Sequence, residues 1–379
     1  MPPAEESVRS AARARPVQAV AVPAHGRQVA IDVARGIAVL WMIQTHAFDG
    51  WVASEHKGSV GYWLTRVVAS VPAPLFLLLS GVGLSLGAQA ALRRGQRDAA
   101  TRWALARRGL GIVAAGYVVS AVYAAIEGWQ PWSALHAALF RADILHCIGL
   151  SLALCSVLLL RRSHVATRTV LVCVVSLAGG LLFSRWLPVP RSPWLAALVG
   201  LFVDAPGYTR FPLLPLVGFC AIGVLVGDKL PSLQLSRNAA GSALVMAVCV
   251  ALLAWLATRG LLGCLGGALS RSHLAVLPNF VDGAARALAT LAGAHWLVLR
   301  VPIGWLKGLV QLGSASLFAY AVHIPLCYGR LSAPLSGCLS VAQAAPFVVL
   351  LIGLCWMAIR LRSAVHDALR QRSRAREPA

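Results

Sequence analysis

The 379-residue chain is 58% hydrophobic and only 12% charged, with a formal net charge of +21 and a mean hydropathy of +0.73. A soluble domain carries about a quarter charged residues, so this composition excludes a soluble globular protein and points to one that lives in lipid. The basic excess does not imply nucleic acid as a partner, because the charges sit between apolar runs on alternate sides, as orientation in a bilayer requires.

Residues 1–30 are rich in Ala, Pro and Arg and lack the apolar core of a signal peptide, which predicts a disordered basic cytoplasmic tail. Residues 31–361 then hold apolar runs of about 20 residues, the length a helix needs to cross hydrocarbon. The short alternating segments of a membrane β-barrel do not occur. The predicted spans are 35–53, 68–91, 109–126, 143–160, 169–187, 211–227, 239–258, 279–299, 309–328 and 341–360. Ten helices put both termini on one side. Segments assigned to the inside hold 24 Lys and Arg, those outside hold nine, and Arg286 falls within a span, which predicts N-in and C-in. Residues 362–379 read as a second basic cytoplasmic tail. The expected fold is therefore an all-α, polytopic bundle. The stretch TRGLLGCLGGALSRSHLAVLP, between the seventh and eighth spans, has room for a short re-entrant piece.

The nine cysteines show no CxxC or Cys/His metal spacing, so no metal is expected. Most read as small core residues; Cys264, Cys327 and Cys338 lie near the predicted outer face, where pairing is open. No extramembrane segment is long enough to fold alone, so any chemistry must use the bundle. The inverted repeat common in secondary transporters is absent.

Ionisable residues inside a span are expensive and become functional candidates by default. In RGIAVLWMIQTHAFDGW, His46 lies eleven residues past Arg35, roughly 16 Å along the helix. His323 is fourteen residues into the ninth span, roughly 21 Å. His146 opens the fourth span with Asp143 one turn before it, and His56 follows the first span in ASEHKGSVG. His46, His146 and His323 and one carboxylate thus share a level in the outer half of the bilayer, with His56 close to it. A lone membrane histidine commonly does no more than bond a neighbouring helix, worth about 1 kcal/mol. Base, proton relay and metal ligand are the alternatives, and the dispersal of these residues over several helices disfavours metal. A proton-coupled transporter using Asp49, Asp143 and Asp204 stays open. At the other end, Asp32 and Arg35 fit either orientation and helix-start roles or a phosphate-binding role.

The segment RQVAIDVARGIAVLWMIQTHAFDGW, followed by PAPLFLLLSGVGLSLG, resembles the transmembrane acyltransferase superfamily, and specifically the bacterial relatives of heparan-α-glucosaminide N-acetyltransferase. The likeness rests on the D-x-x-R-G pattern of Asp32, Arg35 and Gly36, and on the Pro74, Phe76, Ser80 and Gly81 block. RADILHCIGLSLAL, FPLLPLVGFCAIGVLVGDKL and LGSASLFAYAVHIPLCYG continue it over about residues 27–360. Arg35 and His46 also fit the R-x10-H pattern of the related acyltransferases that O-acylate exported glycans. The resemblance implies transfer of an acyl group, usually acetyl, from cytosolic acyl-CoA to a sugar or glycan amine or hydroxyl across the membrane. It implies a bacterial cytoplasmic membrane location and, as in relatives, a homodimer. His46 is the preferred base. His56 is the alternative, because the lysosomal enzyme carries its catalytic histidine in the corresponding loop. Asp49 is expected to orient His46, with Gln44, Thr45, Ser80 and His323 available as oxyanion donors. Arg35, with Asp32 beside it and Arg107 and Arg108 (or Arg93 and Arg94) from the basic inner loop, is expected to hold CoA phosphates. His146 and Asp143 are expected at the acceptor. The runner-up reading is a proton-coupled secondary transporter of a small solute.

Overall fold

In hydrocarbon every backbone N–H and C=O must find its partner within the protein, which leaves the α-helix as the form these apolar runs can take. The computed structural model describes residues 29–127, 131–160, 164–186, 190–230, 237–264 and 276–374. These residues form α1 (Val29–Trp51), α2 (Val60–Val67), α3 (Pro72–Arg93), α4 (Asp98–Glu127), α5 (Trp132–Phe140), α6 (Ile144–Leu158), α7 (Val165–Trp186) and α8 (Pro193–Gly200). They continue as α9 (Leu213–Lys229), α10 (Arg237–Cys264), α11 (Val276–Arg300), α12 (Ile303–Ser314), α13 (Ser316–Tyr328) and α14 (Val341–Arg374). Among the described residues no β-strand forms, only isolated bridges at Val52–Leu339 and Ala142–Thr209.

The protein is an all-α membrane protein. Among the described residues five helices are long and apolar enough to cross a bilayer by length and composition, or six when the pair α12 and α13, bent by 75° at Ala315, is one span, against the ten spans expected. Rows of Val and Leu on α7, α10 and α14, such as Val174, Leu253 and Val349, are exposed. Patches of this kind are rare on soluble proteins and are what lipid-facing helices present. The expected re-entrant piece falls largely in 265–275, outside the described residues, as do the first 28 residues of the N-terminal tail. Position 362, where the C-terminal tail was expected to begin, lies inside the continuous helix α14. Cys327 is buried and Cys338 exposed, and both are free thiols.

α1 is the hub, packed by α2, α3, α11, α12, α13 and α14. Two crossings depend on glycine. A Cβ on Gly36 would sit 2.1 Å from Leu309 O, and one on Gly313 would sit 1.9 Å from Asp32 O, so α1 and α12 touch backbone to backbone. α3 and α9 do the same through Gly81, 2.0 Å from Cys220 O, and Gly223, 2.0 Å from Leu78 O. Close approach through small residues substitutes for the hydrophobic driving force that lipid removes. Gly81→Ala is expected to cost about 1–3 kcal/mol by overpacking. It should lower the thermal midpoint in detergent, whereas Gly111→Ala, with nothing within 4 Å, should not.

Candidate functional site

α1 carries Arg35 near one end of the bundle and His46 three turns further along. Between the two levels lies a cavity of about 730 Å³. At one end it is lined by Arg35, Arg108 and Arg362; at the other by Met42, Ile144, Leu145 and Tyr320. Asp32, buried in the first turn of α1, is 3.6 Å from Arg35 Nη1. Arg362 was not expected here: its position among the terminal arginines reads as tail, but the unbroken helix α14 carries it to the cavity. Arg107, its expected partner, is exposed and is not among the lining residues.

Met42 precedes His46 by one turn and Tyr320 precedes His323 by three residues, so the cavity ends about 5 Å, one helical turn, short of a cluster of rings. His46 and His323 lie 5.3 Å apart between centroids. His46 Nδ1 is 3.0 Å from the hydroxyl of Tyr328, whose ring meets it edge-on at 5.7 Å. His323 donates Nδ1–H to Ala319 O at 2.9 Å. That bond fixes its tautomer, leaving Nε2 as a lone-pair acceptor, buried and without a partner among the described residues. Tyr320 packs against His323 at 5.7 Å and donates its hydroxyl to Asp143 Oδ2 at 2.5 Å.

The helix carrying this group is shaped by Pro325, which lacks the N–H that would bond the carbonyl of Ala321. Tyr123 of α4 supplies the missing donor, its hydroxyl reaching Ala321 O at 3.1 Å. Trp51 donates Nε1–H to Cys327 O at 2.9 Å, tying the end of α1 to that of α13.

Other expected residues have different work. Asp143 caps α6, its Oδ1 accepting from Ile144 N at 2.7 Å. His146 completes that capping box, its Nδ1 accepting from Asp143 N at 3.2 Å. The fully buried His146 ring packs on Tyr117 at 4.3 Å and against Gly116, and its Nε2 has no partner among the described residues. Asp49 was expected to orient His46. Its carboxylate instead accepts the Tyr62 hydroxyl at 3.1 Å and lies 3.8 Å from Arg66. The hydroxyl on His46 comes from Tyr328. His56 is exposed in a short 3-10 turn, Ser54–His56, where its carbonyl accepts from Ser59 Oγ. Of the expected oxyanion donors, Ser80 spends its proton on Phe76 O, and Gln44 Nε2 donates to Thr65 O. Thr45 Oγ1 is buried without a partner among the described residues. Asp49→Asn is expected to change activity less than tenfold, since a solvent-reachable ion pair is worth about 0–1 kcal/mol. A loss as large as that of His46→Ala would restore Asp49 as the orienting group.

With this geometry in hand, the comparison with known families is specific: the model described as heparan-alpha-glucosaminide N-acetyltransferase, catalytic, matches residues 27–263. The chain belongs to this family. The matched segment runs from α1 through most of α10 and contains Asp32, Arg35, His46, Asp49, His56, Asp143 and His146. His323, Tyr328 and Arg362 lie beyond it, although they complete the acetyltransferase-family chain's central cavity and ring cluster. Comparison with curated proteins returns no match.

Proposed function

We propose that this protein is an integral membrane acetyltransferase that takes its acetyl group from acetyl-CoA and passes it to an amine or hydroxyl of a sugar acceptor on the opposite side of a bacterial cytoplasmic membrane. The observation that carries the reading is the central cavity, with three arginines at one end and the His46–His323–Tyr328 cluster one turn beyond the other. In this reading ten helical passes, the bent pair α12 and α13 counted as one, hold both termini in the cytoplasm. Arg35, Arg108 and Arg362 bind the CoA phosphates through charge-assisted hydrogen bonds. The acyl-pantetheine arm fills the apolar middle of the cavity, along Phe76, Ile148 and Leu152.

His46 acts as general base. Its Nδ1–H bonds the Tyr328 oxygen, leaving Nε2 to take the proton of the acceptor as its nitrogen or oxygen attacks the thioester carbonyl. The C–S bond breaks, CoA leaves as thiolate, and the proton on His46 returns to it. His323, held neutral with its lone pair toward the cluster, stabilises the imidazolium formed on His46. Thr45, whose buried hydroxyl has no partner among the described residues, is the donor available to the developing oxyanion.

The test uses purified protein in detergent with radiolabelled acetyl-CoA and a panel of amino sugars. Saturable binding of acetyl-CoA and label transfer to sugar are expected. No interaction with any acyl-CoA would overturn the reading and favour a transporter.

A further inference from the structure

A second cavity, of about 500 Å³, lies among α2, α3, α9, α10 and α11, and shares no lining residue with the central one. Much of its wall is apolar, including Trp63, Val67, Leu216, Phe219, Val276 and Phe280. Its deeper polar groups are satisfied within the protein. Arg286 bonds Asp282 and donates to Val67 O at 2.9 Å, and Thr258 donates its hydroxyl to Pro278 O at 3.1 Å. A cavity of this volume and lining suits an apolar ligand.

α2 indicates which. It carries Val60, Trp63, Leu64 and Val67 at i, i+3, i+4 and i+7, which makes one apolar stripe, and all four are exposed, by 39–75%. A short helix with a tryptophan in its apolar stripe and a basic residue beside it sits where headgroups meet hydrocarbon. α10 also presents Leu252, Leu253 and Leu256 outward. Trp63 and Val67 belong both to the stripe and to the cavity wall, so the cavity borders the lipid-facing surface. What reaches it from there is a hydrocarbon chain.

Arg66 gives that chain a head. It lines the same cavity, and its Nη1 stands 3.8 Å from Asp49 Oδ1. That ion pair is too long for a hydrogen bond, so the guanidinium fork has room for a phosphate. Lys57 Nζ, 2.8 Å from Asp49 O, sets a second cation beside the one carboxylate. Asp49 follows His46 by three residues, about one helical turn. A ligand anchored by its chain in the cavity and by an anion on Arg66 therefore carries its headgroup to the base.

We propose that this cavity holds the hydrocarbon chain of the acceptor, a sugar borne on a membrane lipid through a phosphate that pairs with Arg66. The role in catalysis rests on the acetyltransferase reading. A water-soluble amino sugar reaches His46 without either anchor and is the poorer acceptor.

The experiment uses the full-length protein in detergent and a prenyl phosphate-linked glucosamine with a diazirine on its chain. Labelled peptides are mapped after illumination, and the competitors are the same lipid without diazirine, phosphatidylglycerol and glucosamine 1-phosphate. Label is expected on the cavity walls, in wild type and in His46→Ala, and is displaced at least tenfold more effectively by the sugar lipid than by either other competitor. Ser70→Phe and Val276→Phe fill the cavity from two separate segments, so that misfolding of one leaves the other, and each is expected to abolish labelling. Arg66→Gln should weaken binding about tenfold, as loss of one hydrogen bond to a charged group predicts. With acetyl-CoA present, the lipid-borne sugar is expected to show a KM at least tenfold below that of glucosamine 1-phosphate. Label outside the cavity, equal displacement by phosphatidylglycerol or glucosamine 1-phosphate, or labelling unchanged in both filled variants would overturn the proposal. Cavity labelling without acetyl transfer to any acceptor would leave the lipid site standing and remove the enzymatic reading. Acetyl transfer to soluble sugar that the filled variants leave untouched, with no cavity labelling, would do the reverse.

Discussion

Replacing His46 with alanine is expected to lower acetyl transfer by about 10²–10⁴-fold, the range a positioned general base contributes, while acetyl-CoA binding stays within a few-fold of wild type. The separation follows from geometry. The arginines that line the cavity lie at its far end, about three turns of α1 from the imidazole, so removing the ring takes away the proton acceptor without touching the phosphate contacts. Tyr328→Phe should cost less, because the phenylalanine keeps the edge-on ring packing and loses only the hydroxyl bonded to Nδ1. His56→Ala should retain transfer, as His56 is exposed in its turn and has no contact with the His46–His323 pair among the described bonds. Transfer lost in His56→Ala and kept in His46→Ala would move the base to the loop. Single-turnover rates and equilibrium binding, measured side by side on the three variants, make the distinction.

Arg362→Ala is expected to weaken acetyl-CoA binding by about 10–100-fold, with the rate at saturating donor little changed. A hydrogen bond to a charged group is worth about 1.5–3 kcal/mol, and each 1.4 kcal/mol is tenfold in affinity. The residue is placed for this by the length of α14, which continues unbroken past Arg360 and brings Arg362 onto the cavity wall and over the Phe318 ring at 5.2 Å. Arg362→Lys should recover only part of the affinity, since an ammonium cannot reproduce the bidentate fork of a guanidinium. Arg107→Ala, outside the cavity lining, is the matched control and should bind as wild type. Equal weakening by Arg107→Ala and Arg362→Ala would mean that the basic face acts through its general field rather than through a defined phosphate contact.

What the sequence made legible was the one-dimensional part. The predicted spans fall on helices or a bent helix pair, because an apolar run has few alternatives in lipid, but among the described residues five of these helices, or six with the bent pair, are long and apolar enough to cross a bilayer rather than the ten expected. The shared level of His46 and His323 was also readable, since depth follows from counting along a helix. Which side chains face each other was not. Tyr328 meets His46 across 282 residues, and nothing local to either marks the pair. Asp49, three residues from His46, was the natural orienting group by proximity, but the extra helix α2 folds back and takes its carboxylate with Tyr62 and Arg66. His146 completes a capping box through Nδ1, a role its sequence position at the start of the fourth span did not by itself reveal. Arg362 was obscured by composition, because a run of arginines after a span reads as tail until the helix is seen to continue.

The most direct measurement is made on sealed proteoliposomes of one orientation, with acetyl-CoA supplied only to the face bearing Arg35, Arg108 and Arg362, and the amino sugar only to the other face. Acetyl-sugar is expected to accumulate on the sugar side at a rate that His46→Ala abolishes, with CoA released on the arginine side. Transfer that requires donor and acceptor on the same face, or that proceeds equally in His46→Ala, would contradict a transmembrane reaction through the central cavity.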